Sequence, residues 1–309
     1  MKFLYIIIIT SFFLTTGIHA EQNFYYKSVF DRGDVVTVLS QQPAESYTLE
    51  LVNNLNENIT HNVFFPIDTS HFKGYAAVIG LDSTLKAGEY TLQIRNGEGS
   101  VVSAGGILIH ENMFKKENIS LNYDNTSLRT SPNPKITSEA VNIHKIYGTS
   151  RMFSVESFHP FKIPLENGVF TSWYGDRRIF IYSNGDISRS IHSGIDIAAP
   201  VGTNITAGYS GNVVFSGNRI ITGNSVVLEY LPGVYGVFFH MNEIFVSSGE
   251  SVTENTVIGT LGSSGLATGP HLHWEIRVGG VSVNPEFLLK IGIIDNSLIM
   301  SIVNSHTAE

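Results

Sequence analysis

The stretch Thr268-Gly269-Pro270-His271-Leu272-His273-Trp274-Glu275-Ile276 constrains this chain more than any other. It reads as a β-strand reached through a glycine-rich approach from Gly259 to Gly269. Side chains at i and i+2 of a strand share a face, with Cα atoms roughly 6.5 Å apart. His271 and His273 therefore address one site together, while Leu272 and Trp274 pack on the opposite face. Taken alone, such a pair is more often a polar cross-strand contact than a metal or catalytic pair.

A second cluster lies upstream, Ile191-His192-Ser193-Gly194-Ile195-Asp196-Ile197-Ala198-Ala199-Pro200. Its His and Asp stand four apart, which on a helix would place both on one face. Gly194, the β-branched Ile195 and Ile197, and the closing Pro200 argue against a helix. On a straight strand the two Cα atoms would lie about 13 Å apart. The chain must then bend at Ser193-Gly194 for both to meet one ion, and glycine makes that bend easy. A further candidate, His240, ends the apolar run Val237-Phe238-Phe239. Cysteine is absent, which excludes a disulfide scaffold, a thiolate metal site and a lipid-modified cysteine. A metal here must be held by His, Asp or Glu, and this set suits zinc with nitrogen and oxygen ligands.

His192-x-x-x-Asp196, His240 and His271-x-His273, in that order, resemble the M23 family of zinc metallopeptidases, which includes the lysostaphin-type and LytM-type peptidoglycan endopeptidases. Supporting flanks are Phe170-Thr171-Ser172-Trp173-Tyr174-Gly175-Asp176-Arg177-Arg178, Gly202-Thr203, Gly211-Asn212-Val213-Val214, Gly259-Thr260-Leu261-Gly262-Ser263-Ser264-Gly265 and Val283-Asn284-Pro285. The resemblance covers residues 160–287. It implies one Zn2+ per chain, held by His192, Asp196 and His273, with His240 and His271 as the catalytic pair. One of that pair would accept a proton from the nucleophilic water, and the other would donate to the developing oxyanion. Spacing alone does not decide which of His271 and His273 is the ligand. Tyr174 and Arg177 correspond to family positions along the substrate groove.

The implied activity is a secreted zinc endopeptidase acting on peptide crosslinks of bacterial peptidoglycan. Two other readings compete with it. One is a non-catalytic relative that binds and activates a wall amidase, and the other is a structural zinc protein. Degenerate relatives of the first kind usually lose metal ligands, whereas all five positions are present here. No His-Glu-x-x-His motif occurs, so the base would be a histidine, whose ordinary pKa of about 6.5 suits the task. The tripeptide Val237-Phe238-Phe239 departs from the Tyr and Gly often found there in the family, which bears on local shape.

The chain as a whole reads as all-β. Its net charge of -8 argues against nucleic acid as a partner. Residues 1–20 read as a signal peptide cleaved after Ala20, leaving no stable membrane span and placing the protein in the bacterial periplasm or cell envelope. Residues 21–112 alternate strand-like runs with turns, including Asn96-Gly97, and suggest an immunoglobulin-like β-sandwich. That domain reads as a spacer, an inhibitory pro-segment or a module for an envelope protein partner, and its His61, His71 and His110 are scattered and read as non-catalytic. Residues 113–160 read as a linker with a short helix capped by Thr137 or Ser138 and running to about Tyr147-Gly148, and whether it crosses the active-site groove is left open by the sequence. His144 and His159 there read as surface or packing residues. Residues 161–290 show little helix signal and read as an antiparallel β peptidase domain of the LytM type. The tail 291–309 holds an apolar stretch too short to span a membrane, expected to pack on the body.

Overall fold

Short β-branched runs cut by glycine and asparagine turns give the chain many strands. The computed structural model describes residues 18–21, 23–70, 72–155, 158–294, 297–300 and 302, and arranges their strands in four sheets. Most of the expected signal segment, residues 1–17, lies outside the described residues, as does His71. Strand Ile18–Glu21 pairs antiparallel with Phe24–Lys27.

The N-terminal part consists of two five-stranded sheets. Strand Val35–Ser40 lacks polar alternation and is buried at all six positions, the pattern of a strand covered on both faces. Val36 and Val38, with Ala77 and Ile79 of the neighbouring strand, pack on Leu49, Leu51, Leu92, Ile94, Ile107 and Ile109 of the second sheet. Val35, Leu39, Ala76 and Val78 point the other way, into the core of the C-terminal part. The sandwich is thus docked broadside on its neighbour. Its hairpin at Asn96-Gly97 forms, with a longer turn than that dipeptide suggests. Asn96 N donates to Ser100 O at 3.0 Å, and Gly99 rather than Gly97 takes the left-handed φ of 84°.

The linker is more ordered than its polar composition suggests. Strand Lys116–Ser120 pairs in parallel with Arg177–Ile181. Helix Tyr123–Thr130 follows, with the Asn122 side chain accepting from Asn125 N. A second helix, Pro134–Tyr147, is capped by Asn133 with proline at its first turn, so it starts ahead of the expected Thr137 or Ser138 cap. It buries Ile143 and Tyr147 against Tyr235 and Val237.

A ten-stranded antiparallel sheet builds the C-terminal part, and strand Leu272–Val278 lies inside it between Ile195–Ala198 and Val234–Ile244. Leu272, Trp274, Ile276 and Val278 are fully buried on one face. Helix Pro285–Ile291, which the sequence pattern did not reveal, uses Asn284 as its cap. Leu298, Ile299 and Ile302 of the tail join the same core, and Thr37 of the sandwich donates to Ile293 O at 2.8 Å.

Tyr174 fastens the two halves. Its hydroxyl donates to Ser282 O at 2.8 Å and accepts from Ser83 N at 3.0 Å. Gly33 lies against its ring, where a Cβ would come within 2.8 Å. Burial pushes the Tyr174 phenol upward, so it stays protonated and able to donate. Replacing Tyr174 by Phe leaves the buried Ser83 N–H without an acceptor and is expected to cost about 1–3 kcal/mol of unfolding free energy. Urea denaturation of the two proteins measures this directly.

Candidate active site

Folding gathers all five predicted side chains. The chain bends at Gly194, and a Cβ there would meet Trp274 O at 2.3 Å, so the two strands approach this closely only with glycine at that position. Asp196 pairs in register with His273, and His273 is flanked on its other side by Phe239. His192 Nε2, Asp196 Oδ1 and His273 Nδ1 lie 2.8–3.0 Å from one another. His271 Nε2 is 3.8 Å from the same Asp196 oxygen, and the His240 and His271 rings are 4.8 Å apart.

His240 reaches the site by a local distortion. Strict alternation would send Phe239 and His240 to opposite faces, yet both line the groove. The strand is irregular here, and His240 takes a positive φ of 62°. Such a conformation is costly for a residue with a Cβ and is held only by its surroundings. Phe239 stacks on His273 with ring centroids 5.5 Å apart and planes 8° from parallel, which gives the unusual tripeptide a packing role.

Each imidazole is oriented by what its second nitrogen touches. His192 Nδ1 faces Trp173 O at 2.9 Å, His240 Nδ1 faces Ser264 O at 2.7 Å and His271 Nδ1 faces Gly269 O at 2.9 Å. Only an N–H can face a carbonyl, so in all three the Nε2 lone pair points away from that partner. His273 directs Nε2 to Glu275 Oε1 at 3.0 Å, leaving Nδ1 for the site. Glu275 is itself held by Arg277 Nε at 2.7 Å and Ser193 Oγ at 2.9 Å. Asp196 has its second oxygen engaged by Arg178 Nη2 at 2.5 Å, so a single oxygen remains for a cation.

Three acceptors therefore converge with no donor of their own, which is the electrostatic signature of a cation site. Their mutual separations of 2.8–3.0 Å bring two imidazole nitrogens and one carboxylate oxygen close enough to share one ion. The donor set fits a divalent cation. Without one, a proton substitutes. Burial works to lower His273, but hydrogen bonds to Asp196 and Glu275 raise it to about 9. Burial works to raise Asp196, while His192 and His273 hold it well below the usual carboxylate range. Burial, reinforced by His271 and His273, pushes His240 down to about 3 and keeps it neutral.

The five side chains line a groove of 480 Å³, together with Ser172, Arg178, Phe180 and, from the linker, Glu117 and Arg129. Tyr174 and Arg177, expected along this groove, are placed elsewhere. Tyr174 lies in the seam already described, and Arg177 donates to Ser83 O at 2.7 Å and covers the Phe114 ring. Alternation is the reason: Arg177 and Arg178 are neighbours on a strand and take opposite faces, and it is Arg178 that faces the site. The same parity, applied to His273 and Glu275, identifies Glu275 as the carboxylate behind a ligand candidate.

Residues 190–285 match the model of peptidase family M23, and this stretch is an M23 peptidase domain. Over 95 residues the chain is 41% identical to the DD-carboxypeptidase/endopeptidase Mpg of Neisseria meningitidis serogroup B, covering 31% of this chain and 22% of that protein. Over 94 residues it is 40% identical to the peptidoglycan DD-endopeptidase ShyC of Vibrio cholerae, covering 30% and 22%. The matched stretch thus spans about a fifth of the length of these curated relatives. A solved M23-type structure from Pseudomonas aeruginosa superposes with a TM-score of 0.56 at 21% identity, covering 84% of this chain and 93% of that one, a likeness of fold.

Two outcomes are expected of this centre. Because the folded His273 is raised from 6.5 to about 9, its protonation stabilises the metal-free protein fully below about pH 6.5. That contribution is lost as pH rises through about 9. A cation must displace this proton, so its affinity should climb roughly tenfold per pH unit across that window and then level off. Chelator competition at several pH values reads it. Replacing Glu275 by Gln removes the charge behind His273 and should weaken the cation roughly 10–100-fold, measured in the same competition.

Proposed function

We propose that this protein is a zinc metalloendopeptidase that hydrolyses peptide crosslinks in bacterial peptidoglycan, after export to the periplasm or cell envelope. The observation that carries the reading is the pairing of a three-atom cation site with two further imidazoles, all opening into one groove. The names of the relatives, both acting as endopeptidases and one of them on peptidoglycan, support the substrate class.

In this reading His192, Asp196 and His273 hold the ion. Zinc bound there would activate a water and polarise the scissile carbonyl. His240 and His271 divide the proton work. His240, kept neutral by burial, presents its Nε2 lone pair to the groove and orients the water by accepting a hydrogen bond. His271 is less enclosed, with its side chain 17% exposed, and lies 3.8 Å from the Asp196 carboxylate. It takes the proton of the water at Nε2 and returns it to the leaving amide nitrogen. Neither ring has a second N–H while neutral, so the donor to the oxyanion is an imidazole that has first been protonated.

His192→Ala and Asp196→Ala are expected to lose both metal and hydrolysis. His271→Ala should keep about one zinc per chain yet lose roughly 10²–10⁴-fold in kcat/KM. Mass spectrometry of peptides released from purified wall sacculi, with metal analysis of each variant, tests the division. Hydrolysis retained in His271→Ala would overturn it. Zinc bound without hydrolysis by the unaltered protein would favour a non-catalytic wall-binding role.

A further inference from the structure

The linker strand Lys116–Ser120 and helix Tyr123–Thr130 lie outside residues 190–285, yet Glu117, Ile119, Leu121 and Arg129 line the groove. The first three alternate along the chain and so share a face. The helix after them is pinned to both sides. Ser183 N donates to Thr126 Oγ1 at 2.9 Å, and Asn125 Nδ2 donates across to Ala267 O at 3.2 Å.

Two arginines face this groove, and their circumstances differ. Arg178 is engaged by two carboxylates and a hydroxyl, its Nε donating to Glu117 Oε2 at 3.0 Å and its Nη2 to Ser172 Oγ at 2.8 Å and to Asp196 Oδ2. Arg129 lies 4.1 Å over the Phe180 ring, and its Nε donates to the Tyr182 hydroxyl at 3.1 Å. That hydroxyl is tied in turn to Ser188 Oγ at 2.7 Å. Among the described residues, no carboxylate lies within ion-pair distance of Arg129 and no hydrogen bond engages its two Nη groups. The guanidinium is thus held in place with its fork unspent. A fork of this kind matches a carboxylate with two parallel hydrogen bonds.

We propose that Arg129 is the specificity residue of the groove, binding a free carboxylate on the peptide substrate. This rests on the peptidase reading of the site. Phe180 follows Arg178 by two residues on one strand face, which is about 6.6 Å, and Arg178 touches Asp196 of the cation site. An extended peptide advances about 3.3 Å per residue, so the carboxylate belongs about two residues from the bond cleaved. Amidation of that carboxylate on the peptide would remove the contact.

The test uses the full zinc-loaded chain and two synthetic crosslinked peptides that differ only in having this carboxylate free or amidated. The unaltered protein should show a KM roughly 10–100-fold lower for the free acid. Arg129→Met should raise KM for the free acid by that factor and erase the preference, with kcat much less affected. Arg129→Lys should recover part of it, since it restores the charge without the fork. Calorimetric binding of the same peptides to metal-free protein reads the contact without cleavage, and equal zinc content and thermal midpoints confirm that the variants fold. An unchanged KM for the free acid in Arg129→Met, or equal losses on both peptides, overturns the assignment. If the unaltered protein cleaves neither peptide yet binds the free acid through Arg129, the peptidase reading fails while the carboxylate site stands.

Discussion

Three lone pairs, on His192, Asp196 and His273, meet within 3.0 Å of one another inside the protein, and the surrounding structure exists to hold them there. Left to themselves such groups repel and would prefer water. What prevents their escape is strand register. Asp196 stands opposite His273, and sliding either strand by one residue would turn the histidine to the other face. Register is fixed by the opposite side of the same strand, where Leu272, Trp274 and Ile276 have no exposed surface. Burying three large apolar side chains is worth several kcal/mol, and a slip would expose all of them. The hydrophobic face therefore holds the polar face in an arrangement that it would not choose.

Much of this is written in period-two alternation. The placement of His271 and His273 on one face, and of Leu272 and Trp274 on the other, needs only the pleat of a strand. So does the bend at Gly194, once His192 and Asp196 are asked to meet. Other features were not legible because they depend on distant chain. His240 turns into the groove through a positive φ that only its packed surroundings stabilise. The strand Lys116–Ser120 is polar and alternates exposed with half-buried positions. Its pairing comes from Arg177–Ile181, some sixty residues away, so no local signal marks it. Tyr174 and Arg177 were misplaced because the resemblance addressed the catalytic half alone, whereas here a second domain covers them. The choice between His271 and His273 as ligand candidate likewise needed the fold: both share a face, but His273 Nδ1 comes within 2.8 Å of Asp196 Oδ1, against 3.8 Å for His271 Nε2.

The sandwich alters the chemistry of residues that it never brings to the site. Strand Val35–Ser40 and its neighbour serve two cores at once, one inside the sandwich and one shared with the catalytic sheet. Arg177 and Tyr174 are drawn to Ser83 by that docking. With Arg177 turned outward, its strand neighbour Arg178 is turned inward to Asp196. The domain interface and the cation site are thus the two faces of one short strand, Arg177–Ile181.

That geometry bears on what counts as the catalytic unit. The segment with clear sequence kinship, residues 190–285, contains the four imidazoles and Asp196 but omits what positions Asp196. Arg178 sets which carboxylate oxygen stays free, and Glu117 of the linker holds Arg178. Ser172 joins the same group, from a strand that pairs with Ile195–Ala198 itself. An unpaired Arg178 would leave Asp196 free to rotate and offer both oxygens, or to turn away from the ion. Removing the carboxylate of Glu117 would leave the Arg178 charge, only 14% exposed in its side chain, with Asp196 as its remaining counter-charge among the described residues, a weaker arrangement for a partly buried cation. The linker thus acts as a wall of the site and a brace for its carboxylate ligand candidate, and the working centre begins well before the residues that sequence comparison recognises.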